Sequence, residues 1–205
     1  MTDKSKSAYP KLIYHPGRVA AWLDGKAIYP VEAEITVAEK FIDKRIFLQT
    51  LQEFARKGIK CITFYSESEI SVAEYREMAK KLGVFCRVMP KTRAEGIEDD
   101  EANETVQSFD GTHFHALPFF VYIDSSGGVF PCAELAEPNF CLGNLYEKSF
   151  IEIWESKDRQ RVMRDFEKNP VAPNFIPSSR LVVESEYLHI LKHPGEYVNF
   201  LSDKI

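Results

Sequence analysis

The sequence predicts an α/β protein, with parallel strands linked by helices in its first half and a β-hairpin with short helices in its second. Two observations carry this. Between residues 31 and 90, short apolar runs rich in β-formers alternate with amphipathic helical patterns, the order expected of βαβ units around a parallel sheet. Further on, Asp124-Ser125-Ser126-Gly127-Gly128 joins two apolar runs, the pattern of a hairpin turn. The chain of 205 residues, 44% of them apolar, is long enough for one substantial core or two small ones.

The elements follow in order. After a polar leader, Pro16 suits a first helical turn, Val19 to Leu23 continue it, and Gly25 caps its end. Val31, Ala33 and Ile35 alternate with Glu32 and Glu34 in a strand with one wet face. Phe47, Leu51, Phe54 and Ala55 recur at helical spacing between an N-capping Asp43 and Gly58. Cys61 to Tyr65 reads as a buried strand. Ser71-x-x-Glu74 is a capping box predicted to open a helix through Leu82, and Val84 to Met89 is a third strand closed by Pro90. Glu95 to Glu104 holds six acidic residues in ten, which reads as a solvated linker. The expected division is residues 1–90, a linker over 91–111, and a second subdomain over 112–205. In that second part Gly143-Asn144 marks a turn. Ser149-x-x-Glu152 is another capping box, opening a helix that buries Phe150, Ile153 and Trp154. Leu181 to Leu191 forms a last helix stopped by His193-Pro194-Gly195.

Composition excludes several classes. Twenty-six Lys and Arg against 31 Asp and Glu give a formal charge of −5, the wrong sign for a phosphate-backbone binder. The longest stretch without a charged residue, Gly111 to Ile123, is shorter than the roughly 20 residues of a membrane span. The polar start lacks the apolar core of a secretory signal, so a cytoplasmic location is expected, with Cys61, Cys86, Cys132 and Cys141 as thiols.

A resemblance sharpens this reading. The string Phe120-Val121-Tyr122-Ile123-Asp124, Gly127-Gly128-Val129-Phe130-Pro131-Cys132, Gly143-Asn144-Leu145 and Ser149-Phe150-x-Glu152-Ile153-Trp154 resembles the C-terminal SPASM-type extension of radical S-adenosylmethionine enzymes. In that family a "D-x-x-G-x-V-x-P-C" hairpin presents a cysteine of an auxiliary cluster. The segments Tyr14 to Thr36 and Phe41 to Glu67 resemble the start of the family's barrel. The resemblance implies an incomplete parallel (β/α) barrel fragment followed by a small SPASM-like α+β subdomain.

The sequence departs from the family where its chemistry would be. The family holds a 4Fe-4S cluster in a C-x3-C-x2-C loop after the first strand, whereas here Thr36 runs into Val37 to Asp43 with no cysteine. Ser66-Glu67-Ser68-Glu69-Ile70 replaces the glycine-rich segment that holds the methionyl amine, and Phe175 to Arg180 lacks the family's later cysteines.

Three functions remain open. The first is a non-catalytic relative acting as a binding, regulatory or scaffolding protein, without a cofactor and with a second copy or another protein covering the exposed edges of a partial barrel. The second is a metalloprotein that holds zinc or a residual iron-sulfur cluster with His113, His115, Cys132 and Cys141. Alternating His113 and His115 on a strand would share a face, and the hairpin would bring Cys132 near them. The third is a binder of S-adenosylmethionine or a nucleotide at the carboxyl ends of the parallel strands. Glu32 and Glu34 could form a paired-carboxylate site, although a solvated sheet face explains them more simply.

Overall fold

The computed structural model describes residues 11–38, 41–90, 114–168 and 179–195. The strands β1 (Glu32–Thr36), β2 (Cys61–Tyr65), β3 (Phe85–Met89), β4 (Phe120–Ile123), β5 (Gly128–Phe130) and β6 (Gly143–Asn144) form one sheet in the order β3-β2-β1-β4-β5-β6. β1 pairs in parallel with both β2 and β4, and β2 pairs in parallel with β3. The pairs β4–β5 and β5–β6 are antiparallel. Helices α1 (Pro16–Leu23), α2 (Lys44–Lys57) and α3 (Glu69–Lys81) belong to the first half. Helices α4 (Phe150–Trp154), α5 (Lys157–Lys168) and α6 (Ser179–Lys192) follow the hairpin. The α/β class and the βαβαβ order are as predicted. The hairpin extends the same sheet from the free side of β1. The acidic segment 91–111 lies outside the described residues.

Strand alternation divides the core in two. Ala33, Ile35, Ile62, Phe64, Val121 and Ile123 project to the side where Phe47, Leu51 and Phe54 of α2 and Phe150, Ile153 and Trp154 of α4 complete one apolar cluster. A second cluster joins Leu12, Val19 of α1, Leu117, Phe119 and Phe120 to Leu181 and Leu188 of α6. Thus α6 is seated on the sheet face opposite α2 and α4. It is pinned there by Ser185 Oγ, which accepts a bond from the Ala116 N–H at 3.2 Å. Glu184 pins it too, its two carboxylate oxygens accepting from the backbone N–H groups of Lys11 (2.5 Å) and Leu12 (3.0 Å).

Local signals explain the boundaries. Asp43 accepts from Arg45 N at 2.9 Å to open α2, and Gly58 closes it at φ +72°, where a β-carbon would be strained. The Ser149 capping box is formed in both directions. In the hairpin, Asp124 Oδ1 accepts from the N–H groups of Ser126 and Gly128, each at 2.8 Å, which bends the chain as an Asx turn does.

Three expectations are corrected. Helix α3 starts at Glu69, so Ser71 lies inside its first turn instead of capping it. Its hydroxyl bonds to Ser68 O at 2.6 Å and to Ser66 Oγ at 2.7 Å, so local serine contacts already close the chain upstream. Gly143-Asn144 is a short strand rather than a turn, paired to Gly128 and Val129. The helix opened by Ser149 buries Phe150, Ile153 and Trp154 as expected; it ends at Trp154, and a separate helix follows, where Ser156 Oγ accepts from Arg159 N at 3.0 Å and caps α5. Finally, His115 lies in a turn before Leu117–Phe119, a single 3-10 turn opened by Pro118, and β4 starts only at Phe120. Strand alternation therefore does not orient His115.

Candidate functional site

The sheet face beneath α6 carries Glu32, Glu34 and Thr36 from β1, Cys61, Thr63 and Tyr65 from β2, Arg87 from β3, and Phe120 and Tyr122 from β4. Register sets Glu34 beside Thr63 and Tyr122, and Thr63 beside Arg87. A row of polar groups thus crosses strands whose other face is wholly apolar.

Arg180, in the first turn of α6, reaches onto this face. Its Nη2 donates to Glu32 Oε2 at 2.7 Å and its Nη1 to Glu34 Oε1 at 2.8 Å, while the guanidinium lies 4.1 Å over the centre of the Phe120 ring. Arg87 Nη2 donates to Glu32 Oε1 at 2.7 Å, and Arg87 Nε donates to Thr63 Oγ1 at 2.6 Å. Thr63 donates in turn to Glu32 Oε1 at 2.5 Å. Two carboxylates and two guanidiniums therefore cancel. The expectation of a solvated face for Glu32 and Glu34 is overturned: Glu32 is only 4% exposed, because α6 covers it.

Burial alone would raise the Glu32 carboxyl, but Arg180, Arg87 and the Thr63 hydroxyl hold it below its ordinary value. Burial raises Glu34, against the pull of Arg180, to which it is bonded, and the weaker pull of Arg87. For Arg180, burial opposes the charge, and Glu32 and Glu34 outweigh it to keep the guanidinium firmly protonated. Burial pushes the Cys61 thiol on this face up to about 11. At the carboxyl ends of β1 and β4, where the strand order reverses, Tyr122 Oη donates to Thr36 Oγ1 at 2.8 Å.

Of the metal ligands expected from sequence, His113 lies outside the described residues. Cys132 is 6% exposed, and burial, then the neighbouring Glu134, raise its thiol well above the ordinary range. Cys141 is half-buried and its Sγ donates to Gly143 O at 3.4 Å. His115 meets His189 and His193 instead: one ring nitrogen of each lies within 4.8 Å of the others, and among the described residues no other such group of three ligands occurs. Arg87 and Thr63 left a trace in the sequence, as polar residues at alternate positions of apolar strands. Arg180 left none, because its partners lie 146 and 148 residues away.

Residues 117–174 match the SPASM family, an iron-sulfur cluster-binding domain. The match covers 58 of the chain's 205 residues and falls on the segment whose motifs resemble the SPASM-type extension. No curated protein matches it in sequence. Two crystal structures of BtrN share part of its backbone course. One, of BtrN in an open conformation, has 11% identity and a TM-score of 0.45, with 68% of this chain and 86% of that one covered. The other, of BtrN with AdoMet and 2-DOIA, has 10% identity and a TM-score of 0.43, with 72% and 91% covered.

The donors in this chain do not fit the clusters of that family. A four-iron cluster is held by thiolates, about four for a complete set, and the matched segment contains only Cys132 and Cys141. The remaining two cysteines cannot make up the set: Cys61 and Cys86 sit on adjacent strands one register position apart, so they point to opposite faces of the sheet.

Proposed function

We propose that the protein is a non-catalytic relative of the radical S-adenosylmethionine/SPASM proteins that acts by binding, as a regulatory or scaffolding component. The observation that carries this reading is the seat of Arg180. In (β/α) barrels the reacting groups gather at the ends of the strands around the interior. Here a side chain of the protein itself bridges Glu32 and Glu34 on the corresponding face and neutralises them. The thiol on that face is kept protonated, and the loop after β1 has no thiolate to hold an electron-donating cluster.

The partner in this reading is a second copy of the chain or another protein, docking along β3. Among the described residues β3 is an edge strand, and its Phe85 is 66% exposed. The test is anaerobic reconstitution with iron and sulfide, followed by adenosylmethionine and a reductant. No 5′-deoxyadenosine above the protein-free background is expected, and turnover would overturn the proposal. Sedimentation at tens of micromolar tests the second-copy version: a dimer that Phe85→Lys dissociates supports it, and a wild-type monomer removes it.

A further inference from the structure

We propose that His115, His189 and His193 form a binding site for a divalent transition metal that prefers nitrogen donors, zinc foremost. The chain has five histidines, and three of them converge here from segments more than seventy positions apart. His189 and His193 are one helical turn apart, and the His193 N–H bonds to His189 O at 2.9 Å, so the helical course carries both rings to the same side. Their ring centres are 4.7 Å apart. His115 stacks on His189 with centres 5.8 Å apart and planes 10° from parallel, and the Trp22 ring lies 5.3 Å from it.

The donor set decides the class of metal. With three imidazoles and no carboxylate in the group, the site suits zinc, copper, nickel or cobalt and offers little to calcium or magnesium. Tetrahedral zinc at about 2.0–2.1 Å from each nitrogen sets the nitrogens roughly 3.3 Å apart. The nitrogens, already within 4.8 Å of one another on half-buried side chains, are about 1.5 Å or less from that spacing. The fourth position is left for water or an incoming ligand.

The seats of the ligands give the site a consequence. Leu188 is fully buried beside His189, and Ser185 ties α6 to Ala116, next to His115. A metal here clips the C-terminal end of α6 to the lead-in of β4, while Arg180 holds the other end of the helix on the sheet. Binding thus favours the state in which Glu32 and Glu34 are covered. This inference does not depend on whether the chain is catalytic.

The full-length protein, free of any histidine tag and stripped with chelator, is titrated with zinc by calorimetry and with cobalt by absorption. Saturable binding of one metal per chain at a dissociation constant of about 10 µM or tighter is expected. The cobalt spectrum should show ligand-field bands without a thiolate charge-transfer band. His189→Gln and His193→Gln should each weaken zinc by at least the roughly 10- to 100-fold that lesser, outer-shell losses cost. Cys132→Ser with Cys141→Ser should leave affinity unchanged. A thiolate band in the wild-type cobalt spectrum, absence of saturation, or wild-type affinity in His193→Gln would each overturn the proposal. The wild-type spectrum decides the matter even if a histidine variant fails to fold.

Discussion

Replacing Arg180 with methionine tests the central physical claim, that α6 is locked to the sheet by a neutral quartet of buried charges. The substitution keeps an apolar stem over Phe120 but deletes two charge-assisted bonds of 2.7 and 2.8 Å. Removing one member of a buried pair typically costs about 3–5 kcal/mol, because the abandoned charge stays desolvated. Glu32 keeps Arg87 and Thr63, so its share of the loss is small. Glu34 keeps no arginine among its bonds, and it can escape by taking up a proton. From an ordinary value of 4.5, protonation at pH 7 costs about 3.4 kcal/mol, which is the ceiling on its share. Because burial already raises Glu34 with Arg180 in place, part of that ceiling is present in the wild type, and a loss of about 1–3 kcal/mol follows, lowering the melting temperature by roughly 2–12 °C in a domain of this size. The assay is urea and thermal unfolding followed by circular dichroism at pH 7 and pH 5. At pH 5 the ceiling falls to about 0.7 kcal/mol, so the deficit should shrink. A deficit under about 0.5 kcal/mol at pH 7, or one equal at both pH values, would refute the reasoning.

Arg180→Lys keeps the charge but cannot fork to two carboxylates, so about 1–2 kcal/mol should be lost in the same unfolding assay. Glu32 has a lowered folded-state value, so its contribution is present above its ordinary 4.5 and disappears as pH falls through the folded value; Glu32→Gln should lose less stability than wild type over that acid range, measured by urea midpoints. Ser149→Ala removes one half of the α4 capping box and should cost about 1 kcal/mol in urea unfolding, with Ser149→Asp close to wild type. Gly143→Ala would set a β-carbon 3.0 Å from Ile153 Cγ1 at a φ of +152°, and a loss of about 1–3 kcal/mol is expected from the same measurement. In timed alkylation with mass spectrometry, Cys132 should react only on unfolding, and the Cys86 thiol, pushed up to about 12 by burial, should lag behind Cys141.

Much of the chain's local order was legible because it depends on neighbours. The Asp43 and Gly58 caps, the alternation of β1, the Asp124 turn and the Ser149 box all act over a few residues, and each stands where the sequence places it. Local reasoning failed where two nearby devices competed. Ser66 and Ser68 close the chain before the apparent box at Ser71. No membrane span was expected, and no helix among the described residues is long and apolar enough to cross a membrane.

The sequence by itself determined what depends on residue identity and short spacing: the α/β order, the SPASM-type hairpin and the shortage of cysteines for a cluster. Only the tertiary structure decided what becomes of Glu32 and Glu34, and which histidines meet. An acidic pair on a strand is solvated or buried according to what lies above it. That cover is α6, more than 140 residues later, bringing Arg180 to one end of the contact and His189 and His193 to the other. Burying a carboxylate is costly unless a cation arrives with the burial, and no local pattern records which distant side chain supplies it.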